Sequence, residues 1–153
     1  MSVISQPDIR WGRVDIKTIG LLPNALAKQA ARERGSFEAW LIRDGKVTEG
    51  ASSNAWIITE DGTLITHPAT TEILGGITRS TVLECAKEQN HRVEERPFTL
   101  DDAKSAKEAF LTSATGLVMP IVKIDDAVIG SGTSGPQALA LRQAYKARAK
   151  ASR

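Results

Sequence analysis

The sequence of 153 residues has few of the features typical of secreted or membrane proteins. Cysteine is the scarcest of them, because Cys85 is the only one. One cysteine cannot form an internal disulfide, which favours a reducing compartment and therefore a cytoplasmic protein. No apolar run approaches the roughly 20 residues that a membrane-spanning helix requires, so we expect no membrane span. The first residues, MSVISQPDIRWG, have no basic region followed by an apolar stretch, so we predict no secretory signal peptide.

The sequence also has no large excess of basic over acidic residues, or the reverse. The 20 basic and 18 acidic side chains leave a formal net charge of +2, which does not by itself indicate a nucleic-acid partner. The two histidines, His67 and His91, lie far apart without a carboxylate or cysteine at ligand spacing, so we predict no metal site. The remaining composition, 41% hydrophobic and 25% charged, is typical of a globular protein and excludes a disordered, collagen-like or coiled-coil chain.

The order of helical and strand patterns predicts one α+β (mixed α/β) domain over residues 1–153, because no repeat, linker or low-complexity segment interrupts it. Asp44-Gly45 and Asp61-Gly62 are typical turn pairs, so the middle of the chain is expected to be a meander of short strands. Such hairpins favour a mixed sheet with flanking helices over a doubly wound parallel sheet. We expect helices at 21–34, 74 to about 90, 100–106 and from Pro136 onward, strands at 9–16, 37–43, 55–58, 64–66, 92–95 and 108–111, and a hairpin between 119–124 and 127–129.

Two short segments have the composition of an anion site. Gly-Gly-Ile-Thr at 75–78 precedes a predicted helix, where glycines, free N–H groups and a hydroxyl favour phosphate binding. Thr-Ser-Ala-Thr at 112–115 follows an apolar strand, where small hydroxyl residues can hold a phosphate or cofactor ring. The residues alone favour the simpler interpretations, a Gly-Gly turn with Thr78 as a plain N-cap for the first segment and an ST-turn for the second.

Other polar residues carry no clear pattern of their own. Lys17, beside Ile16 on a predicted strand, and Glu49, before Gly50, would ordinarily be solvated, because no pattern shows the burial or cationic neighbour that a catalytic lysine needs. The basic tail at 146–153 is typical of a solvated helix end. As an alternative it would bind nucleic acid with steep salt dependence.

Five segments, taken in order and spacing, resemble the fold-type IV (class IV) pyridoxal-phosphate aminotransferases, most closely the D-amino-acid aminotransferases. The resemblance covers nearly the whole chain, from about Pro7 to the last helix. It implies amino-group exchange between a D-amino acid and a 2-oxo acid, with pyridoxamine phosphate as the intermediate form, in a homodimer. The segments are 13–18 with Asp-Ile-Lys-Thr, 24–30, 47–54 with Thr-Glu-Gly, 73–79 with Gly-Gly-Ile-Thr-Arg, and 111–115 with Thr-Ser-Ala-Thr.

The resemblance assigns the chemistry of the reaction to two residues. Lys17 matches the lysine that forms an imine with the cofactor aldehyde and then moves a proton between the substrate Cα and the cofactor C4′. Glu49 matches the carboxylate that pairs with the pyridine nitrogen and keeps the ring protonated, so that the ring accepts the electrons of the carbanion.

The remaining matched residues are implied to hold the cofactor, pyridoxal 5′-phosphate. Leu74 matches the apolar residue packed on the ring face, and Ile77 and Thr78 match the phosphate grip at a helix N-terminus. Ser113 and Ala114 match a second phosphate segment, in which Ala114 offers its backbone N–H where relatives carry a hydroxyl. The loop after Glu49 places two further residues, Ser53 and Asn54, in a supporting layer around the cofactor.

Several alternatives remain at this stage. Branched-chain aminotransferases share Glu-Gly and Gly-Ile-Thr-Arg but differ around the lysine, and aminodeoxychorismate lyases share the lysine and the fold. Family members are about twice as long, and their N-terminal lobe supplies an arginine for the phosphate and residues for the substrate carboxylate. We therefore expect this chain to be the cofactor-binding domain without that lobe, either active or a truncated product that binds cofactor weakly or not at all.

Overall fold

The computed structural model describes residues 1–151 and stacks them as one helix, two β-sheets and a second helical layer. Among these residues, no helix is long and apolar enough to cross a membrane. The helices are α1 (Leu22–Glu33), α2 (Ile77–Glu88), α3 (Leu100–Lys104) and α4 (Pro136–Ala151). The strands are β1 (Ser2–Pro7), β2 (Glu38–Arg43), β3 (Lys46–Gly50), β4 (Asn54–Ile58), β5 (Leu64–Thr66), β6 (Val93–Glu95), β7 (Phe98–Thr99), β8 (Glu108–Ser113), β9 (Leu117–Ile121), β10 (Lys123–Ile124) and β11 (Ala127–Val128).

Both sheets are mixed, as the hairpin-rich sequence predicts. The first has the order β11-β10-β1-β2-β3-β7, with β1 parallel to both β10 and β2 and the other pairs antiparallel. The second has the order β6-β5-β4-β8-β9, in which β5 and β6 are parallel and the remaining pairs antiparallel. The α+β (mixed α/β) prediction is thereby confirmed.

Three buried clusters follow from the two-residue period of the strands, because successive side chains point to opposite faces. On β4, Ala55 and Ile57 face the first sheet, whereas Trp56 and Ile58 face α2 and α4. On β2, Trp40 belongs to the cluster between the sheets, whereas Ala39 and Leu41 pack under α1. These central strands are therefore buried on both faces, and alternation of apolar and polar residues is absent there.

The helices begin and end where local chemistry provides for it. A proline, Pro23, stands in the first turn of α1, and Gly35, with φ +67°, follows its end. Thr99 and Asp102 form a reciprocal capping box at the start of α3. At α4 the carboxylate of Glu108, on β8, accepts hydrogen bonds from the backbone N–H groups of Gln137 (3.1 Å) and Ala138 (2.9 Å). The start of α4 is thus joined directly to the second sheet.

The strand expected at 9–16, the meander and the last hairpin differ from the observed structure in position or in pairing. Residues 9–16 form an irregular segment rather than a strand, because their N–H groups bond in turns and to the loop before α2, as in Val14 N–H to Thr71 O (2.8 Å). The strand near the N-terminal end is β1, which the sequence pattern did not predict. The expected meander is divided, with β2–β3 in one sheet and β4–β5 in the other.

The predicted hairpin of 119–124 with 127–129 is likewise half wrong. Residues up to Ile121 belong to β9 and pair with β8, and only β10 and β11 form the hairpin across Asp125-Asp126. Of the basic tail, residues 146–151 continue α4, where Arg148 forms ion pairs with Glu84 (2.8 Å) and Glu88 (3.0 Å) of α2. Ser152 and Arg153 lie outside the described residues.

Candidate functional site

A cavity of about 410 Å³ opens where four segments distant in sequence meet. These are the irregular segment between β1 and α1, the connection from β3 to β4, the residues that lead into α2, and the end of β8. A volume of this size is typical of a small-molecule site. Every residue that the sequence singled out as a site candidate lines this cavity, namely Lys17, Glu49, Ser53, Asn54, Leu74, Ile77, Thr78, Ser113 and Ala114.

Lys17 enters the cavity wall from a loop and not from a strand. Its side chain is exposed, and the loop is fastened three residues earlier by buried Val14, whose N–H donates to Thr71 O (2.8 Å). Trp11, whose indole N–H donates to Arg13 O (2.6 Å), lines the same cavity. Lys17 and Trp11 therefore both contribute to the wall of the cavity, one with a primary amine and the other with an aromatic ring.

Glu49, near the end of β3, is buried, whereas Lys17 is exposed; only 4% of Glu49 is exposed. Its Oε1 accepts hydrogen bonds from the Arg10 guanidinium and from the Leu74 N–H (3.1 Å), and its Oε2 accepts one from Asn54 Nδ2 (2.8 Å). Burial raises the pKa of Glu49 to about 7, although the Arg10 charge and the Leu74 N–H act in the opposite direction. In the cavity wall, the Glu49 carboxyl group therefore gains or loses its proton near neutral pH.

Arg10 connects Glu49 to a second buried carboxylate, Asp8. Arg10 Nε and Nη2 each lie 2.8 Å from an oxygen of Asp8, and Arg10 Nη1 donates to Glu49. Thr48 Oγ1 donates to Asp8 (2.9 Å), and Arg43 Nη2 forms a further ion pair with Asp8 (3.1 Å). Burial raises the pKa of the Asp8 carboxyl, but the contacts with Arg10 and Thr48 outweigh it and hold that pKa below its usual value.

Asn54 joins the carboxylate to the segment before α2. Its Nδ2 donates both to Glu49 Oε2 and to Leu74 O, each at 2.8 Å. Its Oδ1 lies so close to Gly76 that a Cβ there would stand 2.4 Å from it. The Ser53 hydroxyl, by contrast, donates to Glu38 Oε2 (3.3 Å).

The N-terminus of α2 faces the cavity without a side-chain cap. Gly76 is the N-cap residue, so Thr78 lies within the first turn and the alternative of Thr78 as N-cap is wrong. The first backbone acceptor of the helix, Gly76 O, receives the N–H of Ser80 (3.0 Å), which leaves the earlier N–H groups outside the helical ladder. Thr78 is buried and Ile77 is exposed. The open end carries partial positive charge and is suited to an anion.

The end of β8 contributes the last wall. Ser113 Oγ accepts the N–H of Gly116 (3.0 Å), three residues further on and not the two of an ST-turn, and Ala114 is exposed beside it. Thr112 turns its hydroxyl inward to accept from Trp56 Nε1 (3.0 Å). Ser113 therefore lines the cavity while its hydroxyl shapes the turn.

Arg10 and Asp8 are the charged residues linked to Glu49 that the sequence did not reveal. A charged residue in an apolar strand would have been a signal, but both lie in a short polar segment where charges are ordinarily solvated. Within residues 1–151, no group of three or more His, Cys, Asp or Glu side chains could hold a metal ion. His67 is buried, with Nε2 3.4 Å from the Glu72 carboxylate.

Comparison with known proteins places this geometry in a family. The family model described as amino-transferase class IV matches residues 2–124. A D-alanine aminotransferase from Bacillus licheniformis is 48% identical over 136 residues, which are 89% of this chain and 48% of the relative. A D-alanine aminotransferase from Listeria monocytogenes is 42% identical over 94% of this chain and 50% of the relative. The chain therefore spans about half the length of these relatives.

Solved structures give the same picture at lower identity. A branched-chain amino acid aminotransferase from T.th., complexed with N-(5′-phosphopyridoxyl)-L-glutamate, has a TM-score of 0.90 and 32% identity. The superposition covers 99% of this chain and 52% of that structure. A branched-chain amino acid aminotransferase from Thermobaculum terrenum in its PLP form has a TM-score of 0.84 and 32% identity, over 95% of this chain and 49% of that structure.

Proposed function

Because the chain belongs to the class IV aminotransferase family, we propose that it forms the pyridoxal 5′-phosphate-binding part of an enzyme that exchanges an amino group between a D-amino acid and a 2-oxo acid. One observation carries the proposal: a single cavity holds the Lys17 amine, the buried Glu49 carboxylate and the open N-terminus of α2. A D-amino-acid substrate is supported by relatives named D-alanine aminotransferase, and the cofactor is supported by the pyridoxal derivatives bound in the solved structures.

The polar groups of the cavity fit the three functional parts of pyridoxal phosphate. A primary amine, here Lys17, is the group that condenses with an aldehyde. A carboxylate, here Glu49, pairs with a protonated ring nitrogen, and its Oε2 accepts a single hydrogen bond among the described residues, so it has room for another donor. The uncapped start of α2 suits a phosphate. Leu74 supplies an apolar surface for the ring.

The residues divide the work of the reaction between them. When bound, pyridoxal phosphate supplies an electron-accepting ring that stabilises negative charge on the substrate α carbon. Glu49 holds a proton on the ring nitrogen, because an ionised carboxylate next to that atom favours its protonated form. Lys17 takes the proton from the substrate α carbon. The N–H groups of Ile77 and Thr78, with Ser113 and the backbone N–H of Ala114, bind the phosphate.

Ser53 and Asn54 support these groups from behind. Asn54 fixes the distance between Glu49 and Leu74, since one amide group donates to both. Ser53 helps to hold the β3–β4 connection through Glu38. A residue that orients a ligand-binding group in this way commonly affects affinity almost as strongly as the binding group itself.

We extend the proposal to the organisation of the whole enzyme. Residues 1–153 correspond to the cofactor-binding domain, and the substrate carboxylate is bound by the other lobe of the family. The chain acts as a homodimer in the cytoplasm. The alignment with about half of each relative, the exposed apolar residues near the cavity and the single cysteine support these three statements.

The test is to add pyridoxal phosphate to the full chain, reduce with borohydride and locate the modified peptide by mass spectrometry. We expect a visible absorbance band and a modification on Lys17, both lost in Lys17→Ala. The exposed Lys46, which lies away from the cavity, provides the control variant Lys46→Ala, which should retain both. Modification spread over surface lysines, unchanged in Lys17→Ala, would contradict the proposal.

Substrate choice is tested by adding amino acids to the loaded protein. Conversion of the visible band by D-alanine supports the proposed reaction. Conversion by L-leucine and not by D-alanine supports a branched-chain aminotransferase, the candidate that the solved structures favour. A band that no amino acid converts supports a chain that binds cofactor without catalysing the reaction alone.

A further inference from the structure

Arg10 is a buried cation in the cavity wall with contacts on several sides. It is 8% exposed and stands seven residues before Lys17. Its guanidinium donates to Asp8 through two nitrogens and to Glu49 through the third. It also donates to Thr48 Oγ1 (3.2 Å) and to Glu72 O (3.3 Å). A planar donor fork held in this way has little freedom to move. Arg10 is therefore fixed before any ligand arrives.

The contacts with Glu49 are unequal on its two oxygens. Oε1 receives both Arg10 and the Leu74 N–H, whereas Oε2 receives Asn54 alone among the described residues. A carboxylate oxygen accepts about two hydrogen bonds, so Oε1 is saturated and Oε2 retains acceptor capacity. Among residues 1–151, Arg10 is also the only cation paired with Glu49.

From this arrangement we infer that Arg10 is a positioning residue that favours the ionised form of Glu49 and leaves its Oε2 free to accept a hydrogen bond from a protonated ring nitrogen. The inference rests on the proposed function, because it names the partner that Oε2 would meet. It adds a residue outside the five segments on which the family resemblance depends.

The electrostatic need for Arg10 follows from burial. Desolvation raises the pKa of Glu49 to about 7 even with Arg10 in place, and nearby Asp8 acts in the same direction as burial. Arg43 pairs with Asp8 (3.1 Å), and no ion pair between Arg43 and Glu49 is found among the described residues. With Arg10 in place, a substantial fraction of Glu49 is ionised at neutral pH. Without Arg10 that fraction would fall, and a neutral carboxyl group cannot hold a proton on a ring nitrogen.

The first test needs no cofactor. The side-chain carboxyl of Glu49 is followed by ¹³C NMR during a pH titration of the full chain, with Glu49→Gln used to assign the signal. In Arg10→Met we expect the midpoint to move upward by about 1 pH unit or more, because an opposite charge in contact shifts a carboxyl pKa by roughly 1–3 units. In Arg43→Met, which removes the other arginine on Asp8, the midpoint should stay near that of the unmodified chain. An unchanged midpoint in Arg10→Met overturns the inference.

The second test measures pyridoxal phosphate affinity at neutral pH. We expect Arg10→Met to bind about tenfold more weakly or worse, because each unit of pKa above the working pH lowers the ionised fraction of Glu49 about tenfold. In the Glu49→Gln background, the same change should alter affinity less than about twofold, since the group through which Arg10 acts is already neutral. Equal losses in both backgrounds overturn the inference.

Two precautions keep the result decisive. Arg10→Met leaves buried Asp8 without its main partner, so Asp8→Asn/Arg10→Met, which removes both charges, repeats each measurement if the single variant does not fold. Arg10→Lys, which retains the charge, should recover most of the titration midpoint. If the unmodified chain does not bind pyridoxal phosphate, the proposed function is contradicted. If the unmodified chain and Arg10→Met bind it equally well, the role of Arg10 is contradicted.

Discussion

Glu49 shows how one buried carboxyl group couples the site to the stability of the protein. Its pKa is raised from 4.5 to about 7, so between these values the folded protein binds more protons than the unfolded chain. The free energy of unfolding therefore falls as the pH rises through this window. At 1.36 kcal/mol per unit the Glu49 contribution is at most about 3 kcal/mol. The group that serves the site thus opposes folding where it is ionised.

We predict that Glu49→Gln flattens the dependence of stability on pH. Because glutamine does not titrate, the decline in unfolding free energy between pH 4.5 and about 7 should be smaller than in the unmodified chain. The measurement is a series of urea unfolding curves across this window. Glu60→Gln makes the same chemical change at an exposed position and should leave the slope intact. An identical slope in Glu49→Gln and in the unmodified chain would argue against the raised pKa.

At the residue scale, sequence and structure contribute differently to the site. Lys17 and Glu49 are predicted as site residues only because neighbouring segments resemble a family, since neither has a distinctive pattern of its own. Arg10 and Asp8 were not identified. A charged side chain is buried or solvated according to what the rest of the fold places around it, and here β3 and the segment before α2 close over Arg10.

The start of α2 shows how tightly the elements of the site fit together. The backbone of Gly76 has an ordinary helical-cap conformation, with φ −66° and ψ 138°, so its glycine is required by space and not by the dihedral angles. Asn54 Oδ1 occupies the position of a side chain at 76. Gly75, one residue earlier, has only ordinary contact, with Ala69 Cβ at 3.9 Å.

We predict that Gly76→Ala and Gly75→Ala differ sharply. Gly76→Ala must displace Asn54, the residue that holds Glu49 and Leu74 together, and should cost about 1–3 kcal/mol of stability together with cofactor affinity. Gly75→Ala adds a methyl group in ordinary contact and should change stability by less than about 1 kcal/mol. Urea unfolding and titration with pyridoxal phosphate measure the two effects. Equal losses in both variants would contradict the close packing of Asn54 against Gly76.

At the scale of elements, the helices were predicted better than the strands. Helix α1 carries its own signals, a proline in the first turn, small residues on one face and a glycine beyond the end, so the predicted span 21–34 lies close to the observed Leu22–Glu33. Strand β1 has two apolar residues and no alternation, and it forms because β2 and β10 flank it. The alternation at 14–17 looked like a strand, but it has no partner strand among the described residues and remains a loop.

The surface of the molecule near the cavity is unusually apolar for an exposed segment. Ile19 is 99% exposed and Leu22 is 68% exposed, and Ile16, Leu21 and Leu26 around them are each about half exposed. Together they follow the loop of Lys17 into α1. Contiguous exposed apolar residues commonly mark an interface. The homodimer proposed above would cover them.

We predict that this segment mediates self-association of the chain. Sedimentation velocity should show a dimer for the unmodified chain, and Ile19→Glu and Leu22→Glu should shift it towards monomer, because each would bury a charge in the interface. Val128→Glu, a matched change at an exposed apolar position on β11, should leave the dimer intact. A monomeric unmodified chain, or dissociation by Val128→Glu alone, would count against the prediction.

Sequence by itself determined the mixed α+β class, most helices and turns, and, through resemblance, nine of the residues that line the cavity. These properties depend on local chemistry or on order along the chain, which the sequence carries directly. Only the tertiary structure decided which strands share a sheet, that 9–16 is a loop, and that Arg10 and Asp8 lie buried behind Glu49. The physical reason is that strand pairing and the burial of a charge are set by contacts between residues far apart in sequence, as when Arg10 meets the carbonyl oxygen of Glu72.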